Sequence, residues 1–272
     1  MITQLQELLR SAGLARISDE IEQIALSSIR LKTHEIDEAQ LRLGITKFGG
    51  SPDFPQDWKW PERNGFALPF VGQINLSEIA SYIPEQLLPS SGMLYFFFDM
   101  DAFFESWPRD WTTWAVFYNG NVSSTFQRAA IPGKSGTKKI YRPSAVTPIA
   151  EVTLPDYSQY DATSLKRLGL LEPLTDEEEQ AYYKVQAQLA QRANVQWHIP
   201  IHRLLGYADP VQWDMQKDLL GEGVDWQLLL QVDSDAVPNT DWGDTGRIYY
   251  WICKHDLHMC KFNQMQLILQ ST

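Results

Sequence analysis

The sequence predicts an α+β protein that is mainly antiparallel and β-rich, with two N-terminal helices and one long central helix. Three observations support this class. Short apolar runs bounded by glycine and proline are typical of strands. Helical spacing of apolar residues occurs at the N-terminus and in one central segment. Similar strand motifs also recur in the same order in both halves of the chain, so we expect two related lobes from an internal duplication.

Two helices are predicted within residues 1–25. In the first, apolar residues at intervals of three and four share one face, namely Leu5, Leu8, Leu9 and Ala12. Gly13 is expected to end this helix, and Ser18 is expected to cap the second one.

Strands are predicted from Leu26 onwards, where apolar Ile29 and Leu31 alternate with Arg30 and Lys32. This alternation favours a strand with one solvent-facing side. The segment Lys47–Pro61 is rich in proline and glycine and is expected to be an ordered loop. Further strands are expected at Leu68–Leu76, Leu94–Asp99, Trp114–Tyr118 and Ile248–Cys253.

The central helix has the clearest local signal. Thr175-Asp-Glu-Glu178 is a capping-box sequence, in which Thr175 and Glu178 each satisfy a backbone amide of the first turn. The acidic residues of this segment also suit the positive end of the helix dipole. We expect the helix to cover about residues 175–192.

The internal repeat is supported by matched spacing. Pro52 precedes Gln73 by 21 residues, and Pro210 precedes Gln231 by the same number. A strand of similar apolar character follows in each copy, after Gly92 or Gly246. We therefore expect residues 1–272 to form one unit, with a first lobe at 26–150, the central helix at 175–192 and a second lobe at 195–272.

These segments resemble the YwqG-like family of bacterial proteins. The resemblance lies in the motifs Lys47–Pro55, Leu68–Asn75, Leu204–Met215, Trp226–Asp235, Trp242–Ile252 and Phe262–Gln270, in order from about residue 25 to the C-terminus. Trp213 departs from the family, which more often has a small residue there. The resemblance implies a bacterial α+β protein and brings no catalytic residues. Family members are reported beside toxin genes of contact-dependent competition systems, which implies an immunity or interaction role.

Composition and charge limit the function further. The chain has 34 acidic against 23 basic residues and a formal net charge of −11, which argues against general nucleic-acid binding. No apolar run approaches the roughly 20 residues that span a membrane. The first residues do not match a secretory leader, and two cysteines do not suggest a disulfide framework, so we expect a cytoplasmic protein.

We therefore expect a non-enzymatic binding protein with an acidic surface, for which a basic protein such as a toxin is the favoured partner. No cofactor, metal or catalytic residue is assigned. The alternative is a small-ligand-binding protein or an enzyme that uses a polar cleft between the two lobes.

The polar cleft of the alternative is predicted from the repeat. On a strand, Gln73 and Asn75 point to one side, and so do Gln231 and Asp233. These side chains either bond to loop backbone or line a cleft between facing lobes. The candidate ligand-binding residues are Gln73, Asn75, Asp209, Gln212, Asp214, Gln231, Asp233, Trp242, Asp244 and Arg247.

Three other clusters leave alternatives open. Cys253, His255, His258 and Cys260 are either zinc-type ligands with irregular spacing or two buried cysteines with hairpin histidines. The basic stretch 128–142 is either a solvated loop or an anion-binding patch. Trp107, Trp111 and Trp114 are either part of the core or a platform for a partner or sugar.

Overall fold

The computed structural model describes residues 2–82, 87–106, 110–121, 125–132, 139–159, 166, 169–190, 199–212, 215, 219 and 224–272. Within these residues the α-helices are α1 (Ile2–Ser11), α2 (Ser18–Ile24), α3 (Leu76–Ile79), α4 (Met100–Glu105), α5 (Asp176–Leu189) and α6 (Lys254–His258). The strands are β1 (Leu26–Glu35), β2 (Lys47–Phe48), β3 (Asp53–Pro55), β4 (Glu62–Arg63), β5 (Phe66–Ala67), β6 (Phe70–Asn75), β7 (Met93–Phe98), β8 (Trp114–Asn119), β9 (Phe126–Arg128), β10 (Ser144–Thr153), β11 (Arg203–Leu204), β12 (Trp226–Asp233), β13 (Arg247–Cys253) and β14 (Gln266–Gln270).

Ten strands form one antiparallel sheet in the order β14-β13-β12-β11-β1-β10-β2-β6-β7-β8. The two long strands β1 and β10 pair along their full length at the centre of the sheet. A group of four strands flanks them on each side. β3 pairs with β9 and β4 pairs with β5 outside this sheet. The prediction of a mainly antiparallel β-rich protein is therefore confirmed.

One hydrophobic core joins the two outer groups of strands. Ile74 of β6 and Phe96 of β7 lie in the same buried cluster as Val232 of β12 and Ile248 of β13. The sheet curves until its ends approach each other, since the Trp114 Nε1 at the start of β8 donates to the carbonyl of Met265, 3.2 Å away. The concave side of the sheet is thus the main core.

The opposite side of the sheet is covered locally. On β6 and β7, Phe70 and Tyr95 pack under Phe54 and Trp58. On β12 and β13, a separate cluster contains Met215, Leu219, Leu228, Tyr249 and Trp251. A fourth cluster joins α1 and α2 to α5 and to the end of β10, through residues such as Leu9, Ile21, Leu154 and Tyr182.

The predicted helices are present with small differences. Thr175 caps α5, and the capping box with Glu178 is formed. Ser18 does not cap α2, because a 3₁₀ turn at Ala15–Ile17 leads into the helix and Ser18 already has helical dihedral angles. Gly13 follows α1 with a positive φ of 86°, as a helix stop requires.

The predicted strands match β1, β6, β7, β8 and β13 to within a few residues. The segment Lys47–Pro61 was expected to be a loop, but it contains β2 and β3. Both are too short to show a sequence period and exist because β2 pairs with β6 and β10, and β3 with β9. No helix in the described part of the chain is long and apolar enough to cross a membrane.

Candidate ligand pocket

Each group of outer strands begins with a buried basic residue. Lys47 of β2 lies opposite Gln73 of β6, and Arg203 of β11 lies opposite Gln231 of β12. Each basic residue then bonds to the carbonyl four residues later: Lys47 Nζ donates to Ser51 O, and Arg203 Nη1 donates to Tyr207 O at 2.9 Å. The chain between them turns back through two consecutive residues with positive φ in each case.

Arg203 is the centre of a buried ionic network. Its Nε donates to Glu151 Oε1 at 2.6 Å, and its Nη1 lies 3.0 Å from Asp209 Oδ2. The Arg203 side chain is only 3% exposed. Burial alone would lower its pKa, but the nearby charges of Asp209 and Glu151 raise the pKa above its ordinary value. The guanidinium is therefore a permanent charge fixed between two carboxylates.

The backbone of Asp209 is also fixed. Gln231 accepts the Asp209 N–H at 2.9 Å through Oε1, and its Nε2 donates to Ile201 O and to Asp233 Oδ1, both at 3.0 Å. The Tyr249 hydroxyl donates to Asp209 O at 2.7 Å. Burial raises the pKa of Tyr249, so this hydroxyl stays a neutral donor. We call Glu151, Arg203, Asp209, Gln231 and Tyr249 the Arg203 network.

A pocket of about 1010 Å³ opens directly over this network, and we call it the Asp209 pocket. Its walls come from the end of β10, one face of α5, the loop after β11, the turn before β13 and the last residue. The described lining residues are Val152, Thr153, Leu154, Asp156, Ser158, Tyr183, Lys184, Gln186, Ala187, Leu189, Ala190, Arg203, Ala208, Asp209, Pro210, Val211, Asp244, Thr245, Arg247 and Thr272.

The helical wall is anchored to the strand wall. Gln186 of α5 donates from Nε2 to Leu154 O at 3.1 Å and to Pro155 O at 2.8 Å. The buried hydroxyl of Tyr182 also donates to Pro155 O, at 2.8 Å. These bonds hold α5 against the end of β10. Ala187 of α5 and Ala190 just after it then belong to the apolar part of the pocket lining.

The pocket has an apolar body and charged groups of both signs. Arg247 lies at the floor, where Nη1 donates to Asp209 O at 2.8 Å and Nε is 3.1 Å from Asp233 Oδ2. Burial would lower the pKa of Arg247, but the charges of Asp233 and Asp209 raise it. At the rim, Lys184 and Asp244 are exposed. A ligand with an apolar body and a polar head fits such a lining.

The other basic residue forms a similar network that is covered by an arginine side chain. Gln73 Oε1 accepts the Asp53 N–H at 2.8 Å, and the Tyr95 hydroxyl donates to Asp53 O at 2.7 Å. Arg128 of β9 covers this site, with its Nε 3.0 Å from Asp53 Oδ1. Asp53 is fully buried, and burial lowers the pKa of Lys47. We call Lys47, Asp53, Gln73, Tyr95 and Arg128 the Lys47 network.

A comparison with protein families matches residues 46–271 to a domain of unknown function, DUF1963. The chain belongs to the DUF1963 family. No curated protein matches the chain. The matched range includes both networks of this DUF1963 domain and every described lining residue of the Asp209 pocket except Thr272.

The structure separates the polar residues that the sequence predicted to share one cleft. Asp209, Asp244 and Arg247 line the Asp209 pocket, and Gln231 and Asp233 are buried beneath it. Gln73 instead belongs to the Lys47 network, and Asn75 caps α3. The reason is that Gln73 and Gln231 both lie on the side of the sheet opposite the shared core, each within its own group of strands.

The remaining predicted ligand residues of the DUF1963 domain are placed elsewhere. Trp242 is fully buried in the main core against Phe98 and Tyr141, so it lies in the core and not at a rim. Gln212 is exposed and donates to Ser271 O at 2.6 Å. Asp214 and its neighbour Trp213 lie outside the described residues.

The cysteine–histidine cluster is not arranged as expected in either alternative. The residues after Cys253 form α6, not a hairpin, and Cys253 Sγ caps it by accepting the Asp256 N–H. Cys253 is half-buried and Cys260 is exposed, so the cysteines are not a buried pair. Among the described residues, no group of three histidine, cysteine or acidic side chains is placed to hold a metal.

The two other open clusters divide between several environments. In the basic stretch, Arg128 is in the Lys47 network and Lys139 lies over the Tyr141 ring at 5.4 Å, while Lys134 and Lys138 lie outside the described residues. Of the tryptophans, Trp114 is buried and Trp111 is 47% exposed; Trp107 lies outside the described residues.

Sequence reasoning missed Arg203, Glu151 and Lys184. A usable signal existed for Arg203, because Lys47-Phe-Gly-Gly50 and Arg203-Leu-Leu-Gly206 place a basic residue three positions before a glycine in both copies. Glu151 and Lys184 carry no such signal, since their role depends on strands and helices that meet only in the folded chain.

Proposed function

We propose that this DUF1963 protein is a non-enzymatic binding protein whose ligand occupies the Asp209 pocket. One observation carries the proposal. Two similar buried networks exist in the chain: Arg128 covers Asp53 in the Lys47 network, whereas the Arg203 network opens into a large pocket at Asp209. An open space is therefore not required for such a network to be stable, which supports a functional reason for the opening above Asp209.

The ligand class follows from the walls. The faces of α5 and β10 present Val152, Leu154, Ala187 and Leu189, which suit an apolar body. The floor and rim present fixed charges of both signs, which suit a head with both hydrogen-bond donors and acceptors. The volume is at the upper end of the roughly 300–1,000 Å³ that is usual for small-molecule sites.

The two arginines of the pocket favour binding over catalysis, because they are already engaged in ion pairs within the protein. Arg203 and Arg247 are both held in ion pairs within the protein, which fixes their positions for recognition. Nucleophilic catalysis needs a nucleophile beside a general base, most often histidine. The described lining residues include neither histidine nor cysteine, and the Ser158 hydroxyl is engaged in a local turn, where it donates to Asp156 Oδ1 at 2.8 Å.

The proposal is tested with a fluorescent probe that combines an apolar body with a polar head, anilinonaphthalene sulfonate. Ala187→Trp fills the pocket, whereas Gln188→Trp places the same side chain at the adjacent exposed position outside the described lining. We expect the wild-type chain and Gln188→Trp to bind the probe at one site, and Ala187→Trp to bind at least about tenfold more weakly. Equal binding by the two variants, or no binding by the wild type, contradicts the proposal.

A second candidate function, recognition of a basic protein partner such as a toxin, is supported by the charge near the start of α5. Glu172, Asp176 and Glu177 are exposed there, and Asp19 is exposed on α2. Arg16 is paired with Glu172 and Glu178. The resemblance to the YwqG-like family supports the same role. Capture of a basic partner that weakens with salt and with Asp176→Lys plus Glu177→Lys would favour this candidate over the pocket.

We also infer that the two networks arose by duplication of one strand unit, giving lobes at about 26–150 and 195–272. The support is the one-to-one match of roles: Lys47 with Arg203, Asp53 with Asp209, Gln73 with Gln231 and Tyr95 with Tyr249. The strand order away from the central pair β1 and β10 matches as well. On this reading the second copy kept the network and acquired the ligand site.

A further inference from the structure

A second, smaller pocket lies where the two ends of the curved sheet approach each other. It has a volume of about 360 Å³ and lies between β8 with its preceding turn and the segment Phe262–Gln266. Trp114 forms its inner part and is held by the bond from Nε1 to Met265 O. We call it the Trp111 pocket, and we treat it separately from the Asp209 pocket because their described lining residues do not overlap.

Trp111 is displayed at this pocket by a rigid turn. Its ring is 5.2 Å from that of Trp114 at an interplanar angle of 60°. Asp110 caps the turn by accepting the Thr112 N–H at 2.9 Å, and Arg63 Nη2 holds Asp110 Oδ2 at 2.8 Å. The Thr112 and Arg63 bonds lower the pKa of Asp110 to about 2, so this anchor stays ionised near neutral pH. An indole that is nearly half exposed is thus fixed in place, which makes it ready for contact with a ligand.

The polar part of the pocket is neutral. Asn263 and Gln264 have exposed side-chain amides that make no hydrogen bond within the described part of the chain. Trp111, Trp114, Ala115, Val116 and the other described lining residues carry no charged group, although the chain has a net charge of −11. Each free amide offers both donors and an acceptor.

We propose that the Trp111 pocket binds a neutral saccharide. Tryptophan faces pack against the C–H faces of a sugar ring, and amides serve its hydroxyls as both donors and acceptors. The described lining offers no charged group, so it has no complementary charge with which to select a charged ligand. The small, open volume suits one or two sugar rings of a longer chain.

A proline-rich peptide also packs on exposed aromatic rings. It has no hydroxyl groups for the two free amides, so the saccharide makes fuller use of the lining. The peptide is therefore an outcome of the test that would overturn the proposal.

The test uses the full chain and three neutral disaccharides as probes, namely maltose, cellobiose and diacetylchitobiose. Decaproline represents the alternative ligand, a proline-rich peptide. Binding is followed by tryptophan fluorescence and by saturation-transfer NMR at up to about 10 mM, which covers the millimolar affinities worth ~4 kcal/mol. We expect at least one disaccharide to bind, and Trp111→Ala to weaken binding about tenfold or more. Phe66→Ala removes another exposed aromatic side chain outside this pocket and should leave binding unchanged.

Two further variants secure the interpretation. Asn263→Ala removes one of the two free amides without removing the platform and should weaken disaccharide binding even if Trp111→Ala fails to fold. Ala187→Trp fills only the Asp209 pocket and should have no effect, so failure of either site can be recognised separately. The proposal is overturned if no disaccharide binds, if decaproline alone binds, or if Asn263→Ala binds as tightly as the wild-type chain.

Discussion

At the scale of single residues, Asp235 shows how hydrogen bonds stabilise one buried carboxylate. Thr33 Oγ1 donates to it at 2.6 Å, His202 Nε2 lies 2.9 Å away, and the Val237 N–H donates at 2.9 Å. The Asp233 N–H donates to the other ring nitrogen of His202, which makes Nε2 the protonated donor. Burial alone would raise the pKa of Asp235, but these hydrogen bonds lower it below the ordinary value.

Asp235→Asn is expected to lower the free energy of unfolding at pH 7 by about 2 kcal/mol or more, because an amide cannot accept all three bonds. A carboxylate with a lowered pKa contributes stability above the unfolded-state pKa of about 4, and this contribution is lost as the pH falls through the folded-state value. The difference between variant and wild type should therefore shrink in acid. Urea unfolding between pH 7 and pH 3 measures it. Asp57→Asn, at an exposed position, is the control and should show no comparable difference.

The residues of the two networks also show where sequence reasoning stopped. Gln73 and Gln231 repeat in the sequence, yet a repeated polar residue on a strand is equally consistent with an open cleft and a covered network. The structure distinguishes the two cases through Arg128, which covers Asp53 and has no repeat partner in the sequence. Lys47 and Arg203 match in sequence, but their equivalence depends on pairing with a distant strand, where each lies opposite a glutamine.

At the scale of elements, the turns after β2 and β11 depend on left-handed backbone. Gly49 has a φ of 62°, and Leu205 occupies the matching position with a φ of 60°. A Cβ at Gly49 would overlap the Arg142 carbonyl, a backbone atom that has no rotamer with which to move away. Gly13 also has a positive φ, but a Cβ there would meet no atom within 4 Å. A comparison of alanine substitutions at the two glycines therefore separates the cost of left-handed backbone from the cost of steric overlap.

Gly49→Ala is expected to destabilise the protein more than Gly13→Ala does, by at least about 1 kcal/mol. Both variants incur the roughly 1–2 kcal/mol of left-handed backbone, and only Gly49→Ala adds overpacking. Urea unfolding with an unchanged slope would measure the difference. If the two variants lose the same stability, the close approach to Arg142 has no energetic weight.

Elements with local signals were the predictable ones. The capping box fixed the start of α5, and continuous apolar runs revealed β6 and β7, because each signal lies within a few residues. The two-residue strands β2 and β11 have no period of their own and form only by pairing with longer strands. The Asp209 pocket was out of reach for the same reason: its walls come from segments around residues 152, 187, 209 and 244, which are distant in sequence.

At the scale of the whole molecule, the shared core decides how the chain unfolds. Ile74 of β6 and Ile248 of β13 are both fully buried in one cluster, although they belong to opposite groups of strands. Neither group can cover its concave side without the other. We therefore expect the two predicted lobes to unfold as one cooperative unit, in spite of their separate networks.

Ile74→Ala and Ile248→Ala are the matched variants for this expectation, and each should cost roughly 2–5 kcal/mol. Either variant should shift the same single transition, with circular dichroism and tryptophan fluorescence giving coincident curves. Two transitions, of which Ile74→Ala moves one and Ile248→Ala moves the other, would show that the lobes are independent domains. A coincident shift would instead mean that a ligand in the Asp209 pocket stabilises the entire chain, including the Lys47 network in the other group of strands.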